Sequence, residues 1–280
     1  MLRSHRILKA TSSWLGSLLL SGSLHAHVHV QVGYAAGTLD LHVLDYESGR
    51  FTAAEYPLHV ALAARQAVPA DPRFEPLLGP AGGSAWILPQ NEVEGLLNLG
   101  LGTSGIPAGL FAGDQIRLTL DRMEGPGRLS LFTTSPFGAP TAHMMTVDGV
   151  DPARDFIVIP AVNGHLHVNW AFTRPGTYHV DFTAIGSLAA TGQSLRSRPT
   201  RYTFLVEGPE APTLRTPRIL PDSRIEIRVR ASLGARVRIQ SSDDLLGWAN
   251  VAETIGTGAD VPVVLPPSTA PRTFFRAVLD

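Results

Sequence analysis

Short alternating runs separated by tight-turn signals constrain the fold of this chain more than any other feature. Apolar side chains recur there at every second position, which is the period of an extended strand with one buried face. Clusters rich in Gly and Pro, such as 79–83 and 125–127, separate the runs. The pattern predicts an all-β fold, an antiparallel β-sandwich of the immunoglobulin-like or jelly-roll-like type. The clearest runs are 38–44, 58–62, 115–120, 128–132, 156–159 and 201–206.

A proline-rich stretch divides the chain into a large part and a small part. Residues 208–217 begin Gly-Pro-Glu-Ala-Pro and have the composition of a linker. Further alternating runs follow the linker, at 224–230, 235–240 and 273–279. We therefore predict a β-sandwich domain over 27–207 and a smaller β-sandwich-like module over 218–280.

The N-terminus has the pattern of a secretory signal peptide. Basic residues precede an apolar stretch over 14–24 that is too short for a permanent membrane span. We predict a signal peptide over 1–26, with cleavage after Ala26 and cleavage after Ser23 as the alternative. No later apolar run reaches transmembrane length. The mature chain is therefore expected to be exported to the periplasm, the cell surface or the extracellular space.

Charge and cysteine content limit the partners and ligands. The formal net charge is -1 and no basic cluster stands out, so nucleic acid is not an expected partner. Because the sequence contains 0 cysteines, it offers neither disulfides nor thiolate ligands. A metal site must then use imidazole, carboxylate, amide or backbone oxygen, which favours zinc, copper or nickel over iron–sulfur chemistry.

Two segments with one pattern carry the candidate ligands. Segment 27–31 is His-Val-His-Val-Gln, and segment 165–169 is His-Leu-His-Val-Asn. In an extended strand each segment puts two imidazoles and a carboxamide on one face and apolar residues on the other. Imidazole is the commonest metal-binding side chain. The predicted metal ligands are therefore His165, His167, His29 and His27.

A hairpin over 164–184 would add a further histidine to the second segment. Its strands would pair Phe172 with Tyr178 around a three-residue loop, in which Gly176 is free to adopt a positive φ. We therefore predict His179 as a fifth ligand, on the same face as the histidines of the first strand. That face would gather the polar side chains His165, His167, Asn169, His179 and Asp181.

Residues 164–178 resemble a known signature. They match the His-x-His-x-Asn-Trp-x-Phe-(x)n-Gly-x-Tyr motif of the choice-of-anchor M family, the actinobacterial-type surface-anchored repeat proteins, and weaker similarity extends over 27–207. The resemblance implies an exported protein, often tethered at the cell surface, with some relatives encoded beside metal-type ABC transporters. Gln31 stands where the family has an Asp in its opening His-x-Asp step, which argues against a hard-cation site. The part from 218 onward resembles appended β modules that act as structural or adhesive spacers.

Functions from two classes fit these residues. The first is a non-catalytic, exported cell-envelope or secreted protein that binds Zn or Cu through the histidine cluster, without an organic cofactor. Its partners would be envelope proteins or a metal ABC transporter system, linked to metal uptake. The alternative is a metal-free surface adhesion or scaffold protein. An enzyme is not expected, because the sequence lacks a Gly-x-Ser-x-Gly elbow, a phosphate loop and a His-Glu-x-x-His helix.

A variant of the first function follows from the cleavage site. If cleavage occurs after Ala26, His27 becomes the first residue of the mature chain. Its α-amine and its ring nitrogen would then both be available to chelate copper, with His29 or a partner on a neighbouring strand completing the site.

Overall fold

The computed structural model describes residues 27–268, 270 and 272–279, and the predicted signal peptide over 1–26 lies outside the described residues. Most of the described chain is β-strand, with a short helix α1 at Glu75–Leu78 and 3-10 helices at Leu62–Ala64, Pro72–Phe74 and Ala112–Asp114. None of the helices described is long and apolar enough to cross a membrane. The strands up to residue 206 are β1 His27–Ala35, β2 Thr38–Asp45, β3 Gly49–Phe51, β4 Leu58–Val60, β5 Arg65–Ala67, β6 Ser84–Leu88, β7 Asn98–Ser104, β8 Gln115–Glu124, β9 Leu129–Thr134, β10 Pro140–Met145, β11 Phe156–Pro160, β12 His165–His167, β13 Asn169–Phe172, β14 Gly176–Ser187, β15 Ser194–Arg196 and β16 Thr200–Val206.

These strands form three sheets. The first has the order β12-β7-β1-β2-β3, and the second has the order β10-β9-β13-β6-β5. The third has the order β11-β8-β14-β16-β4, with β15 paired to β14. The predicted all-β, sandwich-like fold is confirmed. Its pairing is not purely antiparallel, because β1 with β7 and β4 with β16 run parallel, and long connections supply the crossovers that parallel pairs need.

One hydrophobic core joins the three sheets. On β1, for example, Val28, Val30 and Val32 are fully buried, as the alternation of that segment predicts. Each such aliphatic or aromatic side chain contributes roughly 1.5–3 kcal/mol by leaving water. A chain without disulfides obtains its stability from a core of this kind. Its largest fully buried side chains are Trp170, Tyr178, Tyr202, Phe111, Phe172, Phe182 and Phe204.

The hairpin predicted over 164–184 does not form. β12 ends at His167 in the first sheet, whereas β13 begins at Asn169 in the second, so the chain changes sheets between them. β14 lies in the third sheet, where it pairs with β8 and β16. Alternation fixes which face of a strand is buried, but it does not fix the neighbouring strand. Phe172 and Tyr178 do meet, but as rings 4.9 Å apart inside the core.

The strands after residue 212 form two further sheets, with orders β17-β19-β18, where β22 also pairs with β19, and β21-β20-β23. β17 lies inside the range predicted as a linker, yet it pairs with β19, so that part of the range belongs to a sheet. These strands are β17 Thr213–Leu214, β18 Arg218–Ile219, β19 Ile225–Arg230, β20 Arg236–Ser242, β21 Ala249–Ile255, β22 Asp260–Leu265 and β23 Phe274–Leu279. They enclose a separate cluster of buried residues: Ile227, Val229, Ala231, Ala235, Val237, Ile239 and Leu265.

Candidate metal centre

The outer face of the first sheet carries the two His-x-His segments on either side of a glycine-containing strand. β1 lies parallel to β7 on one side, and β12 lies antiparallel to β7 on the other. His29 and His167 both stand opposite Gly100, one from each side. Neighbouring strands are about 4.8 Å apart, so β1 and β12 are separated by roughly 9.6 Å. Imidazoles on β1 and β12 can therefore meet only above the intervening strand β7.

Four imidazoles do meet there. Their ligand atoms all lie within 4.8 Å of one another. The Nε2 atom of His27 is 3.1 Å from Nε2 of His29 and 3.1 Å from Nε2 of His167. The Nε2 atoms of His165 and His167 are 3.0 Å apart. Within the described part of the chain, this is the one group of three or more metal-ligating side chains found at such spacing.

The glycines of β7 provide the space in which these rings converge. A Cβ atom at Gly100 would lie 2.6 Å from Nε2 of His29 and 2.9 Å from Cε1 of His167. A Cβ atom at Gly102 would lie 2.6 Å from Nδ1 of His29. Real Cβ atoms do not approach other atoms this closely, so any larger residue would displace the imidazoles. The two glycines are therefore part of the site, although they contribute no ligand atom.

Hydrogen bonding alone does not satisfy the cluster. A neutral imidazole has one N–H and one lone pair, on different ring nitrogens, so each Nε2 offers either one hydrogen or one lone pair. The short Nε2 contacts form a chain from His29 through His27 and His167 to His165. Because the two inner atoms each make two contacts, at most two of the three contacts can be full hydrogen bonds. Four converging lone pairs are instead the donor set of a metal ion.

Three of the four histidines, His27, His29 and His167, are held in the neutral form that binds metal. His29 is 1% exposed, and burial, followed by repulsion from His165, His27 and His167, lowers its pKa to about 3. Burial and then the charges of His165 and His27 lower the pKa of His167 to about 4. The pKa of His27 is also lowered, chiefly by burial. At neutral pH these rings keep their lone pairs, so protons compete weakly with a metal ion.

The cluster runs from a buried floor to an exposed rim. His29 forms the floor, His27 and His167 are half-buried, and His165 is exposed. An ion held by these rings would thus be reached from the side of His165.

Two neighbours of the cluster were missed by the sequence analysis. The ring of Tyr46 stacks on His27 at a centroid distance of 4.5 Å and an interplanar angle of 11°, and it lies edge-on to His29. The carboxylate of Glu92 raises the pKa of both His27 and His167, opposing the larger effect of burial. Neither residue belongs to a His-x-His pattern, and each reaches the cluster only through the tertiary fold.

Gln31 is placed to orient one of the ligands. Its Oε1 atom and Nδ1 of His29 are both buried, and neither has a hydrogen-bond partner among the described residues. The two atoms lie near each other, because a Cβ atom added at Gly102 would meet both Oε1 of Gln31 and Nδ1 of His29. When Nε2 of an imidazole binds a metal, Nδ1 carries the hydrogen and needs an acceptor. Oε1 of Gln31 lacks a donor and lies near that nitrogen, so we infer that it supplies the acceptor.

Asn169 has a structural role instead of the predicted place on the histidine face. Its Oδ1 atom accepts a hydrogen bond from the backbone N–H of Gln90 at 3.0 Å. Its Nδ2 atom donates to Oε1 of Gln90 at 3.2 Å and to Oγ1 of Thr134 at 3.1 Å. Asn169 does not share the face of the histidines because the chain passes from the first sheet to the second after His167. The Asn of the motif fixes β13 in the second sheet.

His179, the predicted fifth ligand, is not brought to the other four. It lies on β14 in the third sheet, where Nδ1 is 3.2 Å from Oγ1 of Thr203. Asp181, on the same strand, accepts a bidentate pair of hydrogen bonds from Arg201 at 2.8 and 2.9 Å. The prediction for His179 depended on the hairpin, and without that pairing the two histidine groups lie on different sheets.

The ring of His27 faces the cluster through Nε2. Chelation of copper by a histidine and its own α-amine uses Nδ1, because only that nitrogen closes a small ring with the amine. The arrangement therefore favours ligation of His27 through its ring alone. Three further histidines of the described residues lie outside the cluster: Nδ1 of His42 is 2.9 Å from Oδ2 of Asp40, Nε2 of His143 is 3.2 Å from Oγ1 of Thr133, and His59 is exposed on β4.

Comparisons with known proteins show neither a family nor a function for this chain. No protein-family model matches the chain, and no curated protein is similar to it. Among solved structures, the amphioxus IgVJ-C2 molecule matches with 13% sequence identity and a TM-score of 0.15, over 60% of this chain and 97% of that one. A TM-score this low carries no argument about function.

Proposed function

We propose that this protein is a non-catalytic, exported protein of the cell envelope that binds a transition-metal ion, Zn or Cu, through His27, His29, His165 and His167. The observation that supports the proposal is the convergence of four Nε2 atoms above a glycine strand, in more short contacts than their hydrogens can satisfy. Imidazole nitrogen is a preferred ligand of both ions.

A role in metal uptake extends this proposal. The exposed position of His165 at the rim gives an ion a path in and out of the cluster. Export rests on the signal-peptide pattern of residues 1–26, and the link to a metal ABC transporter rests on the family resemblance of 164–178. If export is correct, mass spectrometry of the mature chain will find a start at His27 or Leu24, and an intact leader would contradict it.

Elemental analysis tests metal binding itself. The full chain, purified without chelator and without nickel affinity resin, should carry about one Zn or Cu ion per molecule. A His165→Ala/His167→Ala double variant should lose the ion, because it removes two of the four proposed ligands. A His59→Ala/His143→Ala double variant controls for histidine content and should keep it.

The scaffold alternative makes the opposite prediction. If wild-type protein contains no stoichiometric metal and takes up neither Zn²⁺ nor Cu²⁺ in titration, the histidines form only a polar patch. Retention of the ion by the His165→Ala/His167→Ala variant would likewise contradict the proposed site.

A further inference from the structure

The arrangement of the four rings carries information about coordination geometry. The rings form six pairs, and their centroid distances are 4.9, 5.3, 5.1, 4.4, 5.4 and 5.0 Å. All six centroid distances lie between 4.4 and 5.4 Å. Such near-equality is a property of a tetrahedron, in which every pair of vertices is equivalent.

The centroid distances can be compared with those expected for tetrahedral and for square-planar coordination. With metal–nitrogen bonds of about 2.05 Å, ligation through Nε2 puts each ring centroid about 3.2 Å from the ion. A tetrahedral ion then separates all six pairs by about 5.2 Å. A square-planar ion separates four pairs by about 4.5 Å and the two opposite pairs by about 6.4 Å. The longest distance in the cluster is 5.4 Å, so no opposite pair of that kind exists among the four rings.

The chemical type of the four ligands favours one of the ions that can be coordinated tetrahedrally. Copper(II) prefers square-planar or tetragonal sites, and copper(I) is selected by thiolate or thioether sulfur. The four ligands here are all imidazoles, and the sequence contains 0 cysteines. Zinc has no geometric preference from its d electrons, binds imidazole readily, and takes four ligands in closed sites.

We propose that the ion is zinc, bound tetrahedrally by all four imidazoles with no coordination position left for water or substrate. This inference rests on the proposed metal-binding function and adds the identity and the closed geometry of the ion. In a zinc tetrahedron all six separations between Nε2 atoms are about 3.3 Å. The three short contacts of 3.0–3.1 Å need to widen by about 0.3 Å, and the other pairs, which lie within 4.8 Å, need to draw closer. A closed site suits storage or transfer of zinc better than hydrolysis, which needs an open position.

X-ray absorption of the zinc-loaded full chain tests the coordination number. The protein is first freed of metal with EDTA, dialysed, and then loaded with one equivalent of Zn²⁺. The expected result is four imidazole nitrogens at about 2.0 Å, with no oxygen ligand. Co²⁺ in place of Zn²⁺ should give the intense visible absorption of tetrahedral cobalt.

A rim variant and a matched control sharpen the test. His165→Ala should leave the fold intact because the side chain is exposed, and should show three imidazoles and one oxygen. His59→Ala, an exposed histidine outside the cluster, should leave both spectra unchanged.

The outcomes separate this inference from the function on which it rests. Zinc bound by fewer than four imidazoles in the wild type, or a weak octahedral cobalt spectrum, overturns the closed tetrahedral site and leaves metal binding intact. A wild-type protein that takes up Cu²⁺ but neither Zn²⁺ nor Co²⁺ also overturns it. Failure to bind any of the three ions overturns the proposed function as well.

Discussion

At the scale of residues, burial and mutual repulsion lower the pKa of three of the clustered histidines, which favours their neutral form. Burial is the largest cause of the lowered pKa in His27, His29 and His167, and the neighbouring rings add to it. The sequence predicted these side chains as candidate ligands, because His-x-His in a strand puts both rings on one face. It could not predict Tyr46 or Glu92, whose approach depends on strand pairing and on a loop.

The lowered pKa values predict a pH-dependent stability of the metal-free protein. The histidine pKa falls from 6.5 to about 3 in His29 and to about 4 in His167 on folding, so the unfolded chain binds more protons between those values and 6.5. The free energy of unfolding should therefore be highest above pH 6.5 and fall as the pH drops toward 4, because unfolding takes up at least about two protons in that range. Urea unfolding in EDTA at a series of pH values measures it.

A double variant provides the control for this pH dependence. His29→Gln/His167→Gln removes both groups, so its stability should change less with pH than that of the wild type, whatever its absolute stability. Equal slopes for the two proteins would contradict the assigned pKa shifts.

Gln31 should affect affinity without being a ligand. Gln31→Leu keeps the size of the side chain but removes the acceptor for Nδ1 of His29, and loss of such a partner typically costs 10–100-fold in metal affinity. The stoichiometry should stay at one ion. Competition with a colour-changing zinc chelator measures the change, and Gln66→Leu, on the exposed strand β5, is the matched control. Equal affinities of the two variants would refute this role.

At the scale of elements, the site depends on β7, the strand that contributes no ligand. Segment 97–102 is visibly rich in glycine in the sequence, but its role appears only when β7 lies between β1 and β12. The faces of β1 and β12 were predictable from alternation. Their partners were not, because pairing depends on connections and packing across the whole domain, and the wrongly predicted hairpin over 164–184 shows this limit.

Gly100→Ala should disable the site through space alone. Its Cβ would lie 2.6 Å from Nε2 of His29, so the ring must turn away and zinc affinity should fall by at least about tenfold, with a stability cost of about 1–3 kcal/mol. Gly247→Ala is the control, because no atom lies within 4 Å of its added Cβ. Calorimetric titration and urea unfolding measure the two effects. Unchanged zinc affinity in Gly100→Ala would mean that the rings do not converge above β7.

At the scale of the whole molecule, the site joins distant parts of the chain. His27 and His167 are 140 positions apart in sequence, yet their Nε2 atoms are 3.1 Å apart. A bound ion would therefore connect β1 with β12 across the first sheet and stabilise the folded state by mass action. The all-β class could be predicted from local periodicity. The convergence of four rings could not, because it needs the order of strands in the sheet.

The most direct test of the central claim is an NMR measurement of the imidazole nitrogens during zinc titration. Long-range proton–nitrogen spectra should show the Nε2 resonances of His27, His29, His165 and His167 moving together, with saturation at one equivalent of Zn²⁺. The resonances of His42, His59, His143 and His179 should stay in place. Absence of change in the first four, or a coordinated change that includes His179, would contradict the account.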